Sequence, residues 1–313
     1  MEKRKSPRRK KLTDKYKIMV SSKTNKRKKT DPIIVHCATL WSMVDHPSHS
    51  REWSLERKIK AVKDAGFEGV MWRPSGELKK LIKKYDLKLF GATDALKPSE
   101  FKGKLKRLKS TGAHYVNVQL ADHDTPINVA TKLAVRMIQE SDRLGMGAHI
   151  EIHRDTSTET PEKLYGIASG YKKATGKLMP ITWDHSHPAI IKHLRPNEYS
   201  SRLLDNPKLL QRSSLFHCRP FNGHHCQVPV IDDKGRLTPE FKDWIKFTDD
   251  MFAMWLEGPQ PDGQIWVVPE VGSNISGYNL SNFPSSWEQA KVCHKELDKS
   301  WKRALNNWKK KNS

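Results

Sequence analysis

Residues 148–153 read Ala148-His149-Ile150-Glu151-Ile152-His153. This is a short apolar run with a carboxylate near its C-terminal end, the pattern of a buried parallel strand. The pattern recurs toward the C-terminus. Pro180-Ile181-Thr182-Trp183-Asp184 places Asp184 33 residues after Glu151, and Leu215-Phe216-His217 places His217 another 33 on. Ile265-Trp266-Val267-Val268-Pro269-Glu270 places Glu270 53 residues further. A step of 33 is one strand–helix unit. A step of 53 is one unit plus an insertion, which we assign to residues 218–236 at the mouth of the fold.

Toward the N-terminus, similar runs occupy 32–37 (continuing to Leu40-Trp41), 67–72, 87–91 and 115–119. Amphipathic stretches separate all eight runs, near 54–65, 76–86, 99–111, 127–144, 160–173, 189–212, 238–257 and 285–311. Ser54 reads as an N-cap, and Gly66, Gly112, Gly145 and Gly258 as helix stops. In the last stretch Trp287, Leu297, Trp301, Leu305 and Trp308 recur at helical spacing and predict core packing. Eight strands alternating with eight helices predict a single-domain α/β fold, the (β/α)₈ TIM barrel, over residues 31–313. An open doubly wound sheet would carry a glycine-rich phosphate turn after an early strand, and none is present.

Charge is unevenly placed along the 313 residues, whose formal net charge is +22. Residues 1–30 hold 14 Lys/Arg against two acids, and residues 299–313 hold six and none, which leaves the body near +4. Residues 1–30 predict a disordered basic arm. A solvated arm, a nuclear-import signal and a non-specific nucleic-acid tether are the readings it leaves open. With 36% hydrophobic residues and no apolar stretch of about 20, a membrane span is not expected. Four cysteines make no disulfide scaffold, and no secretory segment opens the chain. The expected location is cytoplasmic, or nuclear in a eukaryote through the arm.

In a TIM barrel, chemistry gathers where the strands end. Glu151, Asp184, His217 and Glu270 stand at four successive strand ends, on adjacent strands, and therefore point at one place. Three carboxylates and one imidazole suit one divalent metal ion, Mn²⁺ first, with Mg²⁺, Co²⁺ or Zn²⁺ open. Strand parity puts His149, Glu151 and His153 on one side. Arg219 shares the side of His217 if that strand continues. Trp183 should point outward to the helices, opposite Asp184.

These residues resemble the xylose-isomerase-like TIM barrels, which include sugar isomerases, ketose 3-epimerases and apurinic-site endonucleases. The carriers are Ser54-Leu55-Glu56 through Ala65-Gly66-Phe67-Glu68-Gly69-Val70, Glu151-Ile152-His153-Arg154, Asp184-His185-Ser186-His187, His217-Cys218-Arg219 and Pro269-Glu270-Val271. The resemblance implies a metal-dependent isomerase or epimerase of a sugar, sugar acid or sugar phosphate. Proton transfer next to a carbonyl would pass through a metal-stabilised enediolate. It implies Glu151 and Glu270 as catalytic acid–base groups and all four residues as metal ligands. His187 and Arg219 would bind substrate oxygens. It also makes homo-oligomers an expected state.

The Glu151-Ile152-His153-Arg154 continuation departs from the ketose 3-epimerases. His153 and Arg154 either serve an anionic substrate or, for Arg154, pair with Asp155 on a loop. Trp41 and Trp72 either stack on a sugar ring or pack under a loop. Three readings compete with the isomerase. An apurinic-site endonuclease needs further His ligands after strands 3 and 4, where this chain has Phe90-Gly91-Ala92-Thr93-Asp94 and Gln119-Leu120-Ala121-Asp122-His123. A structural zinc site would use Cys218, His224, His225 and Cys226, without a CxxC element. A non-catalytic barrel tethered by its basic tails would not require the four intact ligands.

Overall fold

The computed structural model describes residues 31–313, and the basic arm of residues 1–30 lies outside the described residues. Eight parallel strands close into a barrel in sequence order. They are β1 (Ile33–Thr39), β2 (Gly69–Trp72), β3 (Lys88–Ala95), β4 (Ala113–Leu120), β5 (Gly147–Glu151), β6 (Ile181–Asp184), β7 (Leu215–His217) and β8 (Gln264–Val268). The closing seam pairs Ile33 with Gln264 and His36 with Val267.

The outer ring begins with α1 (Leu55–Asp64), α2 (Gly76–Lys84), α3 (Pro98–Thr111), α4 (Ile127–Arg143) and α5 (Pro161–Thr175). It continues with three short helices, α6 (Ser186–Ile191), α7 (Tyr199–Leu203) and α8 (Pro207–Gln211), and ends with α9 (Pro239–Leu256) and α10 (Ser286–Asn312). Local chemistry sets many of these boundaries. Ser54 accepts from the Arg57 amide, Ser75 from Leu78 and Thr238 from Phe241, each closing a helix N-terminus. Pro98, Pro161, Pro207 and Pro239 stand in first turns, where a missing N–H costs nothing. Gly112 ends α3 at φ 91°, a left-handed cap that a side chain would strain.

The eight-strand, single-domain reading holds, with local corrections. The helix expected over 189–212 is broken into α6, α7 and α8, with a 3₁₀ turn at Pro196–Glu198 between the first two. Pro196 and Pro207 interrupt any continuous run of amide donors there. The first strand stops at Thr39 instead of reaching Trp41, because the Thr39 hydroxyl caps a 3₁₀ turn over Leu40–Met43. Gly258 stands just past the end of α9, as expected, but Glu257 ends that helix in right-handed geometry, and Gly258 packs on Gln211, where a Cβ would meet Gln211 Cβ at 2.5 Å.

Two apolar layers hold the barrel. Between sheet and helices lies a continuous core that takes in Phe67, Phe101, Trp183, Trp244, Trp255, Trp287 and Trp301. The tryptophans of α10 are part of it, as their spacing predicts. Inside the barrel, Val35, Cys37, Met71, Phe90, Tyr115, Leu215, Trp266 and Val268 form a separate plug. Trp266 meets Tyr115 edge-on with centroids 5.2 Å apart. The plug lies beneath the C-terminal rim, where Glu151, Asp184 and His217 end their strands. No described helix is long and apolar enough to cross a membrane.

Candidate metal centre

Glu151 ends β5, Asp184 ends β6 and His217 ends β7, and Asp184 and His217 are partners across the β6–β7 ladder. Glu270 lies two residues beyond β8, past Pro269, and reaches the same place from the loop. All four are buried, and one candidate ligand atom from each lies within 4.8 Å of the others. Among the described residues no other group of three or more His, Cys, Asp or Glu converges in this way.

Two carboxylates are held from behind. Asn117 Nδ2 donates to Glu151 Oε2 at 2.7 Å, and Glu151 Oε1 turns inward without a hydrogen-bond partner. The Ser186 amide and hydroxyl both donate to Asp184 Oδ1, at 2.9 and 2.6 Å, and Oδ2 turns inward. His217 Nδ1 sits 2.8 Å from Glu151 Oε1 and 3.2 Å from Glu270 Oε2, yet these short contacts lack hydrogen-bond geometry. Side chains aimed at a common point, rather than at each other, fit a shared cation.

The floor is apolar. Phe90, from the plug, lies 5.8 Å below the His217 ring. Burial alone would keep His217 neutral, but Glu270 and Glu151 outweigh it and raise its pKa well above the usual range. Burial alone would raise the carboxyls. Instead Arg219 and His187 hold Asp184 far below the usual carboxylate range, and Arg219 and His217 hold Glu270 low. Glu151 is lowered mainly by His217. The three carboxylates therefore stay ionised and give the centre the negative charge that a cation needs, and a cation bound there would displace the proton of His217.

Around it stand the other expected residues. His187 Nε2 is 3.3 Å from Asp184 Oδ2, and neither ring nitrogen has a directed hydrogen bond. Arg219 reaches the centre although β7 has already ended at His217. Its Nη2 donates to Glu270 Oε2 at 2.6 Å and lies 3.2 Å from Asp184 Oδ2, while Nε and Nη1 have no acceptor. His153 packs edge-on against His187 with centroids 4.4 Å apart. Arg154 is not paired with Asp155, which instead meets His123 at 2.8 Å. It bonds the Tyr278 hydroxyl at 2.6 Å. Trp41 is half-buried at the mouth and packs edge-on against Tyr278 at 4.8 Å. Trp183 points away from the centre, its indole bonded to Ser213.

A cavity of about 480 Å³ opens above the cluster, lined by Trp41, Trp72, Gln119, His153, Arg219, Glu270 and Tyr278 among others. Three contributors were not assigned from sequence. Asn117 is readable in retrospect, because it shares the inward parity of Tyr115 and Gln119 on β4. Ser186 follows Asp184 in a turn that bonds back to it. Tyr278 carries no local signal, since it comes from a long loop. The zinc site considered in the insertion does not form: Cys218 is buried in the core, and Cys226 faces Arg154 at 3.6 Å.

No protein-family model matches this chain, and no curated protein sequence matches it. Solved structures do. An L-ribulose 3-epimerase structure aligns at TM-score 0.57 and 12% identity, over 91% of this chain and 99% of that one. D-allulose 3-epimerase from Methylomonas sp., in complex with D-allulose, aligns at TM-score 0.57 and 10% identity, over 86% and 98%. A xylose isomerase-like TIM barrel protein from Mycobacterium smegmatis, in complex with magnesium, aligns at 0.53 and 14%, over 88% and 98%. At these identities the likeness is one of fold, and the fold is that of the xylose isomerase-like TIM barrels.

Proposed function

We propose that this barrel is a divalent-metal-dependent isomerase or epimerase of a sugar-type substrate, working by proton transfer beside a carbonyl. The observation that carries the reading is the convergence of Glu151, Asp184, His217 and Glu270, with inward oxygens freed by Asn117 and Ser186. The epimerases of like fold support the class. A divalent ion bound there, Mn²⁺ by preference, would supply Lewis-acid polarisation of the substrate carbonyl and charge for the enediolate. The residues of the chain do the rest. Glu151 and Glu270 reach the site from the ends of β5 and β8, and in this reading one removes a proton and the other returns one. Arg219 Nε and Nη1 are donors left free for substrate oxygens, and the His187 ring, which burial keeps neutral, offers one donor and one acceptor nitrogen. The apolar floor and buried walls keep water away from the transferred proton. In the same proposal the basic arm adds non-specific nucleic-acid contact without taking part in turnover.

Elemental analysis of protein purified without chelator tests the reading. The expected result is about one divalent ion per chain, lost in Glu270→Ala. About three zinc ions would turn the reading to the endonuclease. No metal after incubation with Mn²⁺ and Co²⁺ would remove the enzyme claim.

A further inference from the structure

Beside the cavity over the cluster lies a second one of about 600 Å³. Tyr278 lines both and is the wall between them. On the inner side its ring covers the Arg219 guanidinium at 4.6 Å, and on the outer side its hydroxyl takes a hydrogen bond from Arg154, which lines the outer cavity. The two cavities differ in degree. The inner one carries Glu270, His153 and two arginines beside Trp41 and Trp72. The outer one carries Ile190, Val228, Leu280 and Phe283 beside Arg154, His224 and Glu240, and its exposed lining is the more apolar of the two.

The outer cavity is built rather than incidental. One wall is the insertion after β7, and the other is the loop between β8 and α10. Gln227 bolts them together: its Oε1 accepts from the Gly272 amide at 2.7 Å and its Nε2 donates to the Gly272 carbonyl at 3.2 Å. Gln289 on α10 accepts from the Val230 amide at 2.8 Å. Gly223 lies so close to the α6–α7 segment that a Cβ there would sit 2.1 Å from the Leu194 carbonyl oxygen. Within this fixed frame Leu280 leaves 51% of its surface open. A large apolar side chain exposed on the wall of a preformed cavity beside a polar site marks a place for apolar ligand surface.

We propose that the outer cavity is a subsite for an apolar substituent, so that the substrate is a sugar carrying an aromatic or alkyl group rather than a free sugar. The sugar occupies the cavity over the cluster, and its substituent passes Tyr278 into the outer cavity. The proposal rests on the sugar-isomerase reading and narrows its substrate class.

The test is calorimetric titration of the full-length, Mn²⁺-incubated protein with matched 6-O-phenyl and 6-O-methyl ethers of the ketoses fructose, tagatose and psicose, which keep the carbonyl. For at least one ketose the phenyl ether should bind tenfold tighter or more, a difference of about 1.4 kcal/mol. Leu280→Asp, at an exposed position, should erase that preference while leaving the melting temperature and the methyl-ether affinity unchanged. Phe283→Ala should reduce it. Equal affinities for every pair, no phenyl-ether binding, or a preference that survives Leu280→Asp overturns the proposal. Ketose turnover without a phenyl preference sinks this subsite alone. A phenyl preference without turnover of any ketose, free or substituted, sinks the isomerase reading alone.

Discussion

Asn117 on β4 donates a 2.7 Å hydrogen bond from Nδ2 to Glu151 Oε2 at the end of β5, and so decides which oxygen of the glutamate faces the cluster. The amide is buried and its own Oδ1 has no partner, so the side chain is committed to this one task. Asn117→Asp would replace the donor with a second carboxylate beside Glu151. Partners that orient metal ligands commonly affect affinity or activity by about 10–100-fold. The expected outcome is a loss of that size in divalent-ion affinity and in kcat, with an unchanged circular dichroism spectrum. An Asp variant with wild-type ion affinity would show that Asn117 does not orient the glutamate.

Glu151→Gln and Glu270→Gln keep the volume and remove the base. Each should lower turnover by at least about 10²–10⁴-fold, the usual worth of a positioned acid or base. The fold should survive, because the plug of Phe90, Tyr115 and Trp266 lies beneath both residues and does not depend on their charge. Steady-state rates on the substrate that the wild type turns over, beside thermal melts, check this. Near-wild-type activity in either variant would end the two-glutamate mechanism.

How much of this could be read from the sequence follows from the range of the interactions involved. Glu151, Asp184 and His217 were legible because strand ends are local signals and the 33-residue step reports successive units. Glu270 was legible as a position but not as a loop residue, because Pro269 ends β8 just before it. The 189–212 stretch reads as one amphipathic helix because apolar periodicity persists across Pro196 and Pro207, while the chain bends at both. The composition of the 218–236 insertion is visible, but its clamp to Gly272 spans 45 residues and leaves no local trace. Tyr278 was missed for the same reason. Its partners Trp41, Arg154 and Arg219 come from three other segments. Even Arg154 and Asp155, neighbours in sequence, chose distant partners.

His149 gives a pH dependence of known sign. It is fully buried inside the barrel, and burial holds its pKa down at about 3. In the unfolded chain the imidazole titrates near 6.5, so above that pH neither state binds its proton. Between about 6.5 and 3 only the unfolded state does, and stability falls as pH drops through that window, by up to about 1.4 kcal/mol per pH unit. His185, held at about 4 by burial, acts in the same direction. His149→Gln should therefore flatten part of the fall in melting temperature between pH 6.5 and 4.5. Melts at several pH values check it, and parallel curves for variant and wild type would assign the acid sensitivity elsewhere.

The basic arm separates binding from chemistry. Residues 1–30 carry 14 of the 57 Lys and Arg of the chain. Every group of the cluster and of both cavities lies between Thr39 and Phe283. Deleting residues 1–30 should leave kcat and KM on a small substrate unchanged. The affinity for duplex DNA or structured RNA should fall, and so should the slope of log affinity against log salt, because each lost phosphate contact releases about one counterion fewer. Paired titrations at several salt concentrations, alongside steady-state kinetics, read both effects. An unchanged slope would remove the arm as a nucleic-acid contact. A large drop in kcat on a small substrate would place part of the arm in the active site.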